Sequence, residues 1–302
     1  MFKFSAEQKV VDIAGVQIGG QPGEYPTVLI GSIFYSGHRI VSDPEKGIFD
    51  KDKARELLDR EAELSEETGN PRMVDVVGDT GQALARYIEF VAEHTKGPFL
   101  IDSATAKARV EAVRLISNLG LLDRAIYNSI DEYFKEEELA VLRECGVRYA
   151  VVLAFSTRAL QPSSRLKLLM GEDGLLAKAN RAGIQEVLVD VGVLDVPNIG
   201  WAAQAVHHVK ETLGYPAGCA PSNSFHMWER IRKKGSPCLE AAGSAMYTLP
   251  QVMGADFIFY GPISYARWVY PACSAADAMI AYAARSYQVR PKVETHPLYR
   301  IF

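Results

Sequence analysis

Four polar side chains close apolar runs: Asp102 in Leu100-Ile101-Asp102-Ser103, Asn128 in Ile126-Tyr127-Asn128-Ser129, Asp190 in Leu188-Val189-Asp190-Val191, and Asn223 in the loop Pro221-Ser222-Asn223-Ser224. Ionised carboxylates accept hydrogen bonds from an amino group and an adjacent ring N–H, while an amide donates and accepts at once. Taken singly, each residue has an equally plain structural role, because Asp and Ser at a strand end also cap the next helix. Two carboxylates and two carboxamides on one rim are a different matter. Such a ring is costly to bury without a polar ligand to satisfy it, and it suits a neutral heterocycle with several N–H donors and ring acceptors.

The edge of a pterin has that pattern. The chain lacks what other reactions need: it has no HExxH or histidine cluster for a metal, no Gly-x-Ser-x-Gly elbow and no strand-end lysine for a Schiff base. Of the six histidines only His226, three residues after Asn223, is placed to reach the mouth, and starting a helix would explain it as well. Cys219 reads as a small core residue inside its strand. Asp75, within the second apolar run, would line the barrel top, and Asp79 just beyond that run would cap the next helix; both stay outside the first rank.

The elements that must position these residues are legible as a repeated pattern. Eight apolar runs with little in/out alternation, as parallel strands buried on both faces require, span Thr27 to Ile33, Arg72 to Val77, Pro98 to Asp102, Arg124 to Asn128, Tyr149 to Phe155, Glu186 to Val191, Pro216 to Ala220 and Asp256 to Tyr260. Between them, helical periodicity runs from Lys51 to Thr68, Gly81 to His94, Thr105 to Asn118, Asp131 to Glu144, Leu166 to Ala182, Gly200 to Leu213, Leu239 to Leu249 and Pro271 to Ser286, the last with proline in its first turn. Eight strand–helix units are the arithmetic of a closed (β/α)₈ barrel, with an open doubly wound sheet as the alternative. Val10 to Tyr25 reads as a hairpin that plugs the barrel bottom, so residues 1–302 form one domain with a short N-terminal hairpin over about 1–26. Gly19-Gly20-Gln21-Pro22-Gly23 is a turn, since no Lys-Ser/Thr follows it as a phosphate loop demands.

Composition narrows the class. The chain has 302 residues, 33 basic against 37 acidic, a net charge of -4 and 48% hydrophobic content. It is an ordinary globular chain without the basic field that nucleic acid binding needs. It shows no long apolar span or secretion signal, and its four scattered cysteines fit reduced thiols, which predicts a cytoplasmic protein with no metal and no membrane partner.

Longer stretches carry a resemblance. Ile18-Gly19-Gly20-Gln21-Pro22-Gly23-Glu24-Tyr25-Pro26-Thr27-Val28-Leu29-Ile30-Gly31, Thr68-Gly69-Asn70-Pro71, Phe99-Leu100-Ile101-Asp102-Ser103, Arg124-Ala125-Ile126-Tyr127-Asn128-Ser129, Val152-Leu153-Ala154-Phe155 and Gly261-Pro262-Ile263 resemble the H-subunit family of tetrahydromethanopterin S-methyltransferase. That resemblance implies a pterin-binding, dihydropteroate synthase-like (β/α)₈ barrel that passes a methyl group between a corrinoid and N5 of a reduced pterin. The loop Gly218-Cys219-Ala220-Pro221-Ser222-Asn223-Ser224-Phe225 looks more like that of corrinoid-linked tetrahydrofolate methyltransferases, including the bacterial enzymes of glycine betaine demethylation.

By that likeness the protein would move a methyl group from a methylated corrinoid, cobalamin held by a partner protein, to N5 of tetrahydrofolate. Asp102, Asn128 and Asp190 would grip the pyrimidine edge, Asn223 would approach N5, Asp102 would join it in catalysis, and Ser129 would assist with Ser103 behind. Trp201, Trp228 and Tyr260 would make the rim apolar, and the alanines of the last helix would offer a homodimer face. The competing readings are a methanopterin-binding subunit of a larger membrane methyltransferase and, ranked last, a dihydropteroate synthase-like condensation.

Overall fold

The computed structural model describes residues 2–225 and 227–300. Its eight parallel strands are β1 (Val28–Ile33), β2 (Arg72–Val77), β3 (Phe99–Asp102), β4 (Ala125–Ile130), β5 (Tyr149–Leu153), β6 (Glu186–Asp190), β7 (Ala217–Cys219) and β8 (Phe257–Pro262). They pair in chain order and close β8 onto β1, with Phe257 opposite Val28, which excludes the open sheet. Around them run α1 (Lys51–Thr68), α2 (Gly81–His94), α3 (Ala106–Ser117), α4 (Glu136–Cys145), α5 (Pro162–Leu169), α6 (Leu175–Arg181), α7 (Ile199–Leu213), α8 (Ser236–Val252) and α9 (Ala266–Ala284).

The helices start and stop where local chemistry directs. Asp50 caps α1 by accepting from Lys53 N, and Gly69 ends it in the left-handed region (φ 83°), where a Cβ would lie 2.0 Å from Thr295 O. Thr80 caps α2 in the same way, through Ala83 N. Three helices depart from the sequence-based expectation. The stretch 166–182 is two helices, α5 and α6, because the chain turns through Gly171 (φ 88°). Helix α4 begins at Glu136, since Asp131 Oδ1 accepts from Tyr133 N and holds the preceding residues in a turn. Pro271 lies inside α9, whose first turn comes earlier, at Ala266.

Side-chain alternation along the strands sorts the core. Val28, Ile30, Met73, Leu100, Ile126, Tyr149, Val151, Leu188, Phe257 and Phe259 point inward and pack together, while their strand neighbours face the helices. The hairpin Val10–Ile13 with Val16–Gly19 puts Val11, Ile13 and Ile18 into the same inner cluster and so stops the bottom. It also ties the two sides of the closing seam: Lys9 N donates to Gly214 O, Lys210 Nζ donates to Gly20 O, and Glu24 pairs with Lys292.

Two buried carboxylates fasten the bottom. Asp277 on α9 accepts from Thr27 N, Thr27 Oγ1, Asn70 Nδ2 and Gln251 Nε2 at 2.9, 2.7, 2.6 and 3.2 Å. Asp256, just before β8, takes both oxygens to Lys210 Nζ at 2.7 Å and accepts from Ala217 N.

Candidate functional site

At the carboxyl ends of the strands a cavity of about 530 Å³ opens, lined by Ser32, Tyr35, Asp75, Asp102, Asn128, Ser129, Phe155, Asp190, Asn223 and Phe259 among others. The period of two places most of these groups. Ser32, Asp75, Asp102, Asn128, Leu153 and Asp190 each stand two positions beyond an inward apolar residue, namely Ile30, Met73, Leu100, Ile126, Val151 and Leu188. The barrel interior therefore turns from an apolar layer to a polar one within a single pleat. Asp102 sits directly opposite Asn128, and Ser32 opposite Asp75.

Two bulges add lining that regular strands would withhold. The β4–β5 register shifts between Asn128 and Ile130, so Asn128 and Ser129 both reach the mouth although successive strand residues normally face opposite ways. The β8–β1 register shifts between Phe259 and Gly261. Gly261 has φ 82°, and a Cβ there would meet Ser222 Cβ at 2.7 Å, so glycine alone lets the Asn223 loop close against β8.

All five residues predicted for the site, Asp102, Asn128, Ser129, Asp190 and Asn223, meet on this one wall. Ser103 does not line it; it is buried, and its carbonyl accepts from Arg109. His226 lies outside the described residues. The aromatic rim is not the one expected. Trp201 and Trp228 do not line the cavity, and Tyr260 is buried on the outer side of β8, where its hydroxyl donates to Glu61. Tyr35, Phe155 and Phe259 supply the apolar surface instead.

The acids of this wall are under-partnered. Asp190 accepts from Gly192 N at 2.7 Å, and burial pushes its carboxyl up to about 6, against the opposing pull of that N–H and of Arg165. Asp75 accepts from Ser32 Oγ at 2.6 Å and is likewise raised by burial, to about 6. Its Oδ1 makes no hydrogen bond of good geometry, although the Asn128 side chain lies close enough to favour the charged form. Asp102 is raised well above the usual carboxylate range, by burial and then by Asp75, with Arg109 and the Ser103 N–H opposing.

The cations behind the wall are occupied elsewhere. Arg109 on α3 donates to Ser103 O, Tyr127 Oη and Glu138 Oε2. Arg165 on α5 is fully buried and donates to Leu160 O, Val191 O, Gly192 O and Asn198 Oδ1, which fixes the loop that follows Asp190. Sequence reasoning missed both arginines, because their partners are mostly backbone carbonyls or residues distant in the chain. It undervalued Asp75, whose parity with Met73 would have marked it as inward-facing.

A closed parallel barrel with acids and amides on its carboxyl-terminal mouth defines a class, and solved structures agree on the fold. Dihydropteroate synthase from Yersinia pestis, in complex with a pterine-sulfa conjugate, matches with a TM-score of 0.61 at 13% identity, covering 90% of this chain and 99% of that one. The Thermus thermophilus synthase in complex with 6HMPPP matches with 0.58 at 15% identity, covering 90% and 100%. The protein is thus a dihydropteroate synthase-like (β/α)₈ barrel.

Residues 6–292 match the family described as "Tetrahydromethanopterin S-methyltransferase MtrH subunit", and the chain belongs to that family. The H subunit of tetrahydromethanopterin S-methyltransferase from Methanothermobacter thermautotrophicus is 41% identical over 100% of both chains. The H subunit of a putative methyltransferase, mtx, from Methanosarcina mazei is 38% identical over 99% of both.

Those relatives correct the expected partnerships. Each is named as one subunit of a methyltransferase, which overturns the expected partnering of a free-standing homodimer with a corrinoid protein and no membrane. The alanines expected to form the dimer face are in fact largely spent within the chain: Ala276, Ala278, Ala281 and Ala284 are buried, and Ala278 and Ala281 pack against Leu298. No helix of the described residues is long and apolar enough to cross a membrane.

Proposed function

We propose that this chain is the pterin-binding subunit of a multi-subunit methyltransferase, and that its mouth holds a reduced pterin of the tetrahydromethanopterin type. The observation that carries this reading is the wall itself: Asp190 is buried and Asp102 half-buried, both with spare acceptor capacity, Asn128 stands opposite Asp102, and among the described residues no cation pairs directly with either acid. The names of the full-length relatives supply the reaction and the pterin.

In this reading Asp190 and Asp102 accept from the amino and ring N–H groups of the pyrimidine edge, and Asn128 supplies a donor beside them. Ser129, brought to the mouth by the bulge, adds a hydroxyl. Asn223, exposed at the opening, orients N5. Methyl transfer at N5 needs no covalent bond to the protein, so the chain's task is to aim that nitrogen outward and keep water off the buried face of the ring. The methyl carrier then approaches from another subunit.

Calorimetric titration with tetrahydromethanopterin and with tetrahydrofolate, beside an Asp190→Ala control, tests the proposal. Tighter binding of tetrahydromethanopterin, lost in the control, is the expected result. Preference for tetrahydrofolate would move the substrate to the folate class, and binding of neither would remove the pterin site.

A further inference from the structure

Asp75 is the acid of this wall that neither the sequence reading nor the proposed ring contacts use. It is one of the most buried polar residues of the chain, at 3% exposure, and it faces the cavity one inward step below the level of Asp102 on the neighbouring strand, since Val77 is the residue opposite Asp102. Among the described residues the titratable groups on the wall are Tyr35, Asp75, Asp102 and Asp190. Around Asp75, β1 offers the Ser32 hydroxyl and β4 the Asn128 amide, while β3 offers Asp102 with Arg109 behind it. On the far side β6 offers Asp190, with Arg165 behind. Both guanidiniums are committed to carbonyls, Tyr127, Glu138 and Asn198, as described above. Asp75 is buried, and Asp102, half-buried, lines the same cavity from the next strand; with no paired cation among the described residues, two carboxylates so placed repel too strongly for both to be charged.

We propose that Asp75 and Asp102 hold one proton between them, so that the base of the mouth presents one hydrogen-bond donor beside an acceptor, and that Asp75 is the positioning residue that maintains this state. Such a pair recognises a neutral ring edge on which a donor and an acceptor are adjacent, as in a cyclic amide, and disfavours an edge made of donors only. The ligand part of this inference rests on the pterin reading; the shared proton does not. The two groups titrate as a unit, with apparent values that belong to the pair. The binding-competent form carries a single negative charge, so affinity falls as pH rises and the shared proton leaves.

Two measurements test it. In the ligand-free protein, infrared spectroscopy follows the C=O stretch of protonated carboxyl groups as pH rises from about 5 to about 9. Burial also raises the carboxyls of Glu61, Asp190, Asp256 and Asp277, so the pair's band is assigned by comparison with Asp75→Asn. The proposal expects a band near neutral pH that Asp75→Asn removes or moves to lower pH, and that Ser32→Ala moves to higher pH by withdrawing a donor from the charged form. A wild-type spectrum identical to that of Asp75→Asn overturns it.

Titration with tetrahydromethanopterin across the same range gives the second readout. The amide of Asp75→Asn donates permanently, so the loss of affinity at high pH should vanish. An unchanged high-pH loss in that variant would also overturn the proposal. Failure of wild type to bind the pterin would refute the functional reading instead, while the infrared result still decides the shared proton.

Discussion

The two ends of the barrel bury the same kind of side chain to opposite purposes. At the bottom, Asp277 accepts four hydrogen bonds and Asp256 is held by the Lys210 ammonium and a backbone N–H. At the mouth, Asp190 accepts one and Asp75 one, with an oxygen of Asp75 left over. Burial raises all four carboxyls, so burial alone does not distinguish them. The difference is the supply of donors. The bottom donors come from parts of the chain far apart in sequence and act as fasteners, whereas at the mouth the described residues supply fewer donors and a ligand can provide the rest.

The comparison is most directly broken by removing a carboxylate from each end. Asp256→Ala leaves the fully buried Lys210 ammonium without its partner and should cost about 3 to 5 kcal/mol of stability, read as a fall in the denaturant midpoint. Asp190→Ala should leave that midpoint unchanged or raised, while weakening pterin affinity roughly 100-fold, about 2.7 kcal/mol, by calorimetry. If Asp190→Ala melted like Asp256→Ala, the mouth would be a fastener too.

A pH series sharpens the contrast. Because the Asp75 carboxyl is raised from 3.8 to about 6, the native state holds its proton where the unfolded chain has lost it. Its contribution to stability is therefore full below pH 3.8 and is lost as pH rises through about 6. Asp75→Asn should be more stable than the parent near pH 8, by on the order of 1 to 3 kcal/mol, and nearly equal to it near pH 3 in thermal denaturation. The smallest effect falls at the opening. Asn223→Ala should change the pterin Kd less than about threefold but slow methyl transfer about tenfold, close to 1.4 kcal/mol, in single-turnover assays of the assembled enzyme.

Much of this architecture could be read from the residues. The eight strands are legible because parallel strands covered on both faces are written as unbroken apolar runs, and α1 and α2 because Asp50, Gly69 and Thr80 mark their ends chemically. Asp102, Asn128 and Asp190 stand out because each closes such a run. The break between α5 and α6 was hidden by helical periodicity on both sides of Gly171, and the small hairpin of Val41–Asp43 and Ile48–Phe49 is too short to carry a period. The fixing of the Asp190 loop by Arg165 could not be read, since its partners Val191 and Gly192 offer only carbonyls, which every residue has.

The closing seam has a consequence for the order of events during synthesis. Strand β1 is made first, yet one of its two edges finds its partner only when Phe257–Pro262 has been added, more than two hundred residues later. The N-terminal hairpin must wait as well, because Lys9 docks on Gly214 and Gly20 on Lys210. A nascent chain therefore carries a completed first strand with an open edge through nearly all of its translation, and the ring shuts in a late step that joins its oldest strand to its newest.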